Sequence, residues 1–329
     1  MKTSKKLMEK VQKLLKKRGE KAFEMARDAI LKEKNIDERV YKALRYFIEE
    51  SWYNVQHPAL LSLACEAVGG SPEKTTAIGA AMVLLTGAAD IHDDILDKSK
   101  IKNSKPTVFG KFGKDVALLA GDALLFQGLT LLHEACEELP YNTKKVVLNL
   151  IRKAFFELGN AEVKEIDFRA KYDIKPQEYR KIIEAKAAVA EATARIGAIL
   201  GNGKPEEVET LGHYGRTLGT LMTIRDDFID LFEPDELKNR ARNECLPLPL
   251  LHAFQNTETK NKVVEILRKN EITNQEVQEI LDLVLGAREV EELKKEMRSL
   301  IKQEKNLLQG IKRNSNILHF FLSSTLEDL

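Results

Sequence analysis

The sequence predicts an all-α protein, and three observations carry that prediction. Apolar residues recur at helical spacing along most of the chain. Alternating apolar and polar runs bounded by turn signals, which strands require, are nearly absent. Glycine (18) and proline (9) are sparse for 329 residues and gather where helices should stop.

The elements follow from those stops. Residues 1–20 are lysine-rich, and Lys5–Arg18 reads as a basic amphipathic helix. Its lysine face could make a peripheral contact with an anionic membrane, or be the solvated side of a helix packed on the domain. Gly69-Gly70-Ser71-Pro72, Gly201-Asn202-Gly203-Lys204-Pro205 and Leu246-Pro247-Leu248-Pro249 read as breaks. Between them helices are expected over Pro72–Asp97, Val116–Glu138, Tyr141–Lys171, Pro176–Leu200, Pro205–Phe232 and much of 257–310. No repeat or low-complexity linker interrupts this pattern, so 1–329 reads as a single domain.

Composition narrows the function classes. A hydrophobic content of 43% can fill a large core. With 52 basic and 51 acidic residues the net charge is +1, which argues against a nucleic-acid partner. Cys65, Cys136 and Cys245 are far apart and form no CxxC pair. That pattern argues against a disulfide framework or zinc site and fits a reducing, cytoplasmic location. The polar N-terminus lacks a signal-peptide core, and no stretch reaches roughly 18–20 uninterrupted apolar residues.

Two acidic clusters carry the chemistry. Asp93, Asp94 and Asp97 end one apolar helix, and Asp226, Asp227 and Asp230 end another. Within each cluster the first and last aspartates are four residues apart and share a helix face. Like charges at that spacing repel, and the helix dipole disfavours acids at a C-terminus. A bound cation offsets both costs, and carboxylate oxygens suit Mg²⁺ together with substrate phosphate oxygens. Two copies of a locally unfavourable pattern point to a metal site; a chance pair of solvated acidic helix ends is the bland alternative.

Several stretches together carry a family resemblance. They are His92-Asp93-Asp94-Ile95-Leu96-Asp97-Lys98-Ser99, Lys105-Pro106-Thr107, Ala120-Gly121-Asp122-Ala123-Leu124-Leu125 and Ile224-Arg225-Asp226-Asp227-Phe228-Ile229-Asp230. Over roughly residues 40–255 the chain resembles the trans-prenyl diphosphate synthases, the polyprenyl synthetase family of class I isoprenoid synthases. The resemblance implies a helical bundle around a deep central cavity, with the two aspartate clusters facing each other. It implies an allylic prenyl diphosphate as substrate and magnesium, up to three ions with bound diphosphate, as cofactor. It also implies a homodimer, or a heteromer with a homologous subunit.

Site roles follow residue by residue. Asp93, Asp97 and Asp226 are the leading metal ligands, with Asp94, Asp227 and Asp230 in support. Lys186 stands where the family has a lysine that contacts the allylic diphosphate. Arg225 is either a catalytic cation or a charge partner of the second cluster, and Lys102 lies near a family arginine. Ala88 and Ala89 occupy the positions that floor the chain cavity in the family, and their small size implies a long chain, C20 or more. His92 reads as a metal ligand or a local hydrogen-bonding group. Tyr214, Phe228 and Phe232 read as cavity or core aromatics.

The resemblance fails on one side. Where the family has a glycine-glycine-lysine-arginine segment that binds isopentenyl diphosphate, this chain has Trp52-Tyr53-Asn54-Val55-Gln56-His57-Pro58. Thr86, Lys102-Asn103, Ala187, Met222-Thr223 and Asn243-Glu244-Cys245 also depart from the pattern. A diphosphate needs several charge-assisted contacts, and Asn54, Gln56 and His57 cannot replace them at neutral pH. Three readings therefore stay open: a prenyltransferase with unusual co-substrate binding, a terpene-synthase-like enzyme that does not use isopentenyl diphosphate, and a non-catalytic or regulatory subunit.

Overall fold

The computed structural model describes residues 2–102, 104–269, 271–311 and 313–326. Asn103, and the side chains of the first eight residues with Lys5 and Lys6 among them, lie outside the described residues. The chain forms two compact units. The first comprises Met1–Arg152, Ala192–Gly215 and Gly310–Leu318; the second comprises Lys153–Glu191, Arg216–Gln309 and His319–Leu329.

The helices begin with α1 (Lys2–Leu31), α2 (Glu38–Tyr46), α3 (Gln56–Ala67) and α4 (Thr76–Leu96). Asp37 caps α2 by accepting from the Arg39 amide, and α2 runs into a turn of π-helix at Phe47–Ser51. A short hairpin, β1 (Ile101–Lys102) and β2 (Lys105–Pro106), separates α4 from α5 (Val108–Phe112) and α6 (Lys114–Glu137). Then follow α7 (Tyr141–Ile166), α8 (Pro176–Lys186), α9 (Ala188–Leu200), α10 (Pro205–Asp230), α11 (Pro234–Asn243) and α12 (Leu248–Ala253). The last are α13 (Thr257–Leu267), α14 (Asn274–Leu285), α15 (Arg288–Leu307) and α16 (Ser315–Ser323).

In the first unit α4 is the central element, packed against α6, α1 and α3. Small residues let the axes approach: Ala80 and Ala88 on α4 share one buried cluster with Ala117 and Ala120 on α6. A Cβ on Gly128 would come within 3.0 Å of the Leu85 side chain. Leu84 and Leu124 fill the space between, each at most 1% exposed. Burying such side chains contributes about 1.5–3 kcal/mol apiece. The apolar side of α1, with Val11, Ala22, Phe23, Ala26 and Ile30, is buried in this unit.

In the second unit α12 packs on α8, α14 and α15, burying Leu250, Leu251, Ile280, Leu293 and Met297. Thr273 and Glu276 form a capping box that starts α14.

Sequence and structure differ at three places. The helix expected over Pro176–Leu200 is interrupted at Ala187, between α8 and α9. No glycine or proline marks that break; Ala187 is held close to α10, where a Cβ on Gly219 would meet it at 2.9 Å. The long stretch 257–310 divides into α13, α14 and α15. Two helical stretches, Pro72–Leu96 and Lys114–Glu137, are long and apolar enough to cross a membrane by length and composition. The first lies largely inside the core of its unit, whereas α6 leaves Leu118, Leu119, Phe126 and Leu129 exposed.

Candidate functional site

The first cluster is built by the last turn of α4. Asp97 is the C-cap, its amide donating to the Asp93 carbonyl at 2.8 Å. Lys98 then turns the chain with φ 56, the left-handed conformation that terminates helices. The hairpin that follows is pinned back onto the helix end. The Thr107 hydroxyl donates to the Ser99 carbonyl, the Tyr46 hydroxyl donates to the Pro106 carbonyl, and both distances are 2.7 Å.

This places the Lys102 ammonium 2.8 Å from Asp94 Oδ1 and 3.7 Å from Asp93 Oδ2. Burial pulls Lys102 down, but Asp93, Asp94 and Asp90 outweigh it and hold the ammonium well above its ordinary range. Burial raises the Asp94 carboxyl, with Lys102 opposing. Asp93 Oδ1 is buried and has no hydrogen-bond partner among the described residues.

A fourth acid completes this face. Asp90 lies one turn before Asp93 and Asp94, open to solvent yet ringed by protein. That crowding pushes its carboxyl up to about 6, against Lys102 and the Trp52 indole. Trp52 Nε1 donates to Asp90 Oδ2 at 2.6 Å while its ring stacks on Phe47 at 4.8 Å.

His92 faces the other way, its Nε2 3.4 Å from Asp122 Oδ1 without an aligned hydrogen bond. Gly121 makes room for it: a Cβ there would sit 2.4 Å from His92 Nε2. The Ala120-Gly121-Asp122 motif thus serves His92 and the α4–α6 contact.

The second cluster, on α10, is organised by Arg240. Its Nη2 donates to Asp227 Oδ1 at 2.8 Å and its Nη1 to Asp230 Oδ2 at 3.0 Å. Asp227 Oδ2 accepts from the Leu248 amide at 2.8 Å, so both oxygens of this buried carboxylate are committed. Burial pushes Asp227 upward, and Arg240 with the Leu248 amide pulls it back. Arg240 also donates to the Cys245 carbonyl and to the Tyr179 hydroxyl. Asp226 is the open member, 65% of its side chain exposed, with Arg225 Nη1 3.8 Å from its Oδ1. Surrounding protein still pushes Asp226 up to about 6, with Arg225 opposing.

Lys186, at the end of α8, pairs with Glu165 and lies 3.1 Å from Glu162 Oε1. Ala88 belongs to the buried core of the first unit, while Ala89 is half-buried. Tyr214 and Phe228 are buried, the Tyr214 hydroxyl donating to the Leu318 carbonyl, and Phe232 is exposed. The Trp52–Pro58 stretch is aromatic and neutral. Asn54 Oδ1 accepts from the Gln56 amide in a local turn. His57 Nδ1 sits 3.3 Å from Thr193 Oγ1, and burial lowers its pKa to about 4. His57 is therefore uncharged at neutral pH.

The sequence reading missed Asp90, Trp52, Arg240, Glu162 and Glu165. Asp90 had a signal, one helical turn before the cluster. The others act across long sequence separations and carry no local mark.

The donor set suits a hard cation. The oxygens are carboxylate oxygens, and the buried, unpartnered Asp93 Oδ1 is one left over for a ligand. Among the described residues no three histidine, cysteine or acidic side chains already form a metal cage. Magnesium fits such a site because it uses one or two carboxylates and completes its shell with substrate phosphate oxygens and water.

Residues 38–284 match the polyprenyl synthetase family. The chain is 31% identical over 247 residues to a geranylgeranyl diphosphate synthase of Methanosarcina mazei, covering 73% of this chain and 74% of that protein. It is 30% identical to a short chain isoprenyl diphosphate synthase of Methanothermobacter thermautotrophicus, covering 70% and 69%. Among solved structures, the geranylgeranyl pyrophosphate synthetase of Pyrococcus horikoshii shares the fold with a TM-score of 0.85, at 24% identity and 97% and 99% coverage.

Proposed function

Because the chain belongs to the polyprenyl synthetase family of prenyltransferases, we propose that it is a magnesium-dependent prenyl diphosphate synthase. It ionises a long allylic prenyl diphosphate and transfers the prenyl group to isopentenyl diphosphate, giving a product of C20 or longer. The observation that carries this reading is the aspartate face of α4, with Asp93 Oδ1 buried and unpartnered. The family match and the names of the relatives support elongation.

When bound, magnesium would neutralise the charge that develops on a departing diphosphate. In the first unit Asp93 and Asp97 would supply ligand oxygens to such an ion, and in the second unit Asp226 would do so. Asp227 and Asp230 act through Arg240, holding the end of α10 in place for Asp226. Asp94 orients Lys102. Half-buried Ala89, upstream of Asp93, leaves room for a long chain, which supports a C20 or longer product.

The chain works as a dimer, joined through the apolar face of α6 that carries Leu118, Leu119, Phe126 and Leu129. Four exposed large apolar side chains on one helix face are unusual for a surface that stays in water.

A specific observation favours a second reading. The stretch that should hold the second diphosphate contains no cation, and His57 within it is half-buried and neutral. On that reading the chain is the non-catalytic partner of a homologous subunit.

The test is incubation of the purified protein with Mg²⁺, allylic diphosphates of graded length and labelled isopentenyl diphosphate. Label in products of C20 or longer is expected. Silence alone, with activity appearing only on mixing with a homologous subunit, selects the second reading. Release of diphosphate with no incorporation, giving hydrocarbon or alcohol, contradicts both.

A further inference from the structure

Lys102 stands on the aspartates that the proposed function assigns to metal binding. Its placement is fixed by the fold. The hairpin pairs Ile101 with Pro106 and Lys102 with Lys105. It is tied to the end of α4 through Ser99, whose amide donates to the Asp94 carbonyl at 2.9 Å. It is tied at its base by the Thr107 amide, which donates to the Lys100 carbonyl at 2.9 Å. Gly110 lies so close to that carbonyl that a Cβ would come within 2.1 Å of it. Lys98 (φ 56) and Ser104 (φ 60) bracket the lysine in left-handed conformations that residues with a Cβ rarely adopt. A backbone over-determined in this way indicates a placement maintained by its surroundings.

The two ends of the Asp93 carboxylate differ. Oδ2 looks toward the Lys102 ammonium at 3.7 Å, whereas Oδ1 is buried with no hydrogen-bond partner. Asp94 gives its Oδ1 to Lys102 at 2.8 Å. One monovalent cation thus partly satisfies a pair of carboxylates and leaves one oxygen over. A divalent ion binding through Asp93 would meet the lysine's charge a few ångströms away.

We propose that Lys102 is a built-in counter-cation of the Asp93–Asp94 pair, which competes with the divalent metal and thereby sets the affinity of the first cluster. This rests on the reading of that cluster as a magnesium ligand. With the lysine in place the four acids of the α4 face coexist without metal, and the metal binds weakly. On this proposal, metal binding through Asp93 would displace the lysine from the pair.

The test is binding of Mn²⁺ alone, followed by the loss of the free-ion electron paramagnetic resonance signal, with no substrate present. Wild type is compared with Lys102→Met, Lys102→Gln, Asp93→Asn and, as a control for general charge, Lys105→Met. Both Lys102 variants should bind Mn²⁺ about three- to tenfold more tightly, since removing a half-exposed cation beside the site relieves modest repulsion. Lys105→Met should match wild type, because the Lys105 ammonium donates to the Glu50 carbonyl instead. Equal or weaker binding in both Lys102 variants, with Asp93→Asn still abolishing binding, overturns the counter-cation while leaving the metal site standing. Binding that Asp93→Asn does not weaken, or no binding at all, removes both.

Discussion

At the scale of residues, the two aspartate clusters are not equivalent side chains repeated. Asp226 faces solvent, whereas Asp227 is buried and spends both oxygens on Arg240 and the Leu248 amide. Removing one partner of a buried ion pair leaves an uncompensated charge, at about 3–5 kcal/mol. Arg240→Met should therefore lower unfolding free energy by about that much in a denaturant titration, whereas Asp226→Asn should change it by less than about 0.5 kcal/mol. Equal effects would contradict the division of roles.

His57 supplies a pH prediction of defined sign. Burial lowers its pKa to about 4 from 6.5, so it is neutral in the folded protein while the unfolded chain takes up a proton below pH 6.5. Its full contribution is present above pH 6.5 and is lost as pH falls toward 4. The loss is on the order of 1–2 kcal/mol, because solvent reaches this half-buried ring and screens its charge. Unfolding of wild type and His57→Gln between pH 7.5 and 4.5 should show a steeper decline in wild type; parallel slopes would count against a buried neutral imidazole.

At the scale of elements, the helices were legible because their causes are local. Helical periodicity runs from Thr76 to Leu96, and Pro176 and Pro205 open α8 and α10 as a first-turn proline should. The acid clusters were legible for the same reason: spacing on one helix fixes which side chains share a face. The break at Ala187, the Lys102 hairpin and the Arg240 network were not. The break at Ala187 bears no glycine or proline, and the residues that meet Lys102 and Arg240 carry no spacing that marks them as partners. Ala88 packs in the core of the first unit while its neighbour Ala89 is half-buried.

Ala89→Phe should therefore shift the product distribution toward shorter chains, read by chromatography of dephosphorylated products. An unchanged distribution would show that this face of α4 does not touch the chain. On α6, Phe126 is 69% exposed. Phe126→Glu should convert a dimer into monomer in light scattering, and an unchanged mass would place the interface elsewhere.

At the scale of the whole molecule, the chain has the family's fold and both aspartate clusters. The segment that should bind a second diphosphate is instead an aromatic and neutral stretch, with Trp52 committed to Asp90 and His57 uncharged. Net charge near zero adds no general attraction for a polyanionic substrate, so any diphosphate must be held by local cations and metal. The metal-dependent release of diphosphate is thus the step on which the account stands.

It is tested most directly by titrating Mg²⁺ against diphosphate release from an allylic prenyl diphosphate, in the presence of isopentenyl diphosphate, for wild type and Asp226→Asn. The account predicts saturable release in wild type that chelation abolishes, and a loss of about 100-fold or more in the variant at unchanged stability. Release that survives chelation, or a variant as fast as wild type, would contradict it.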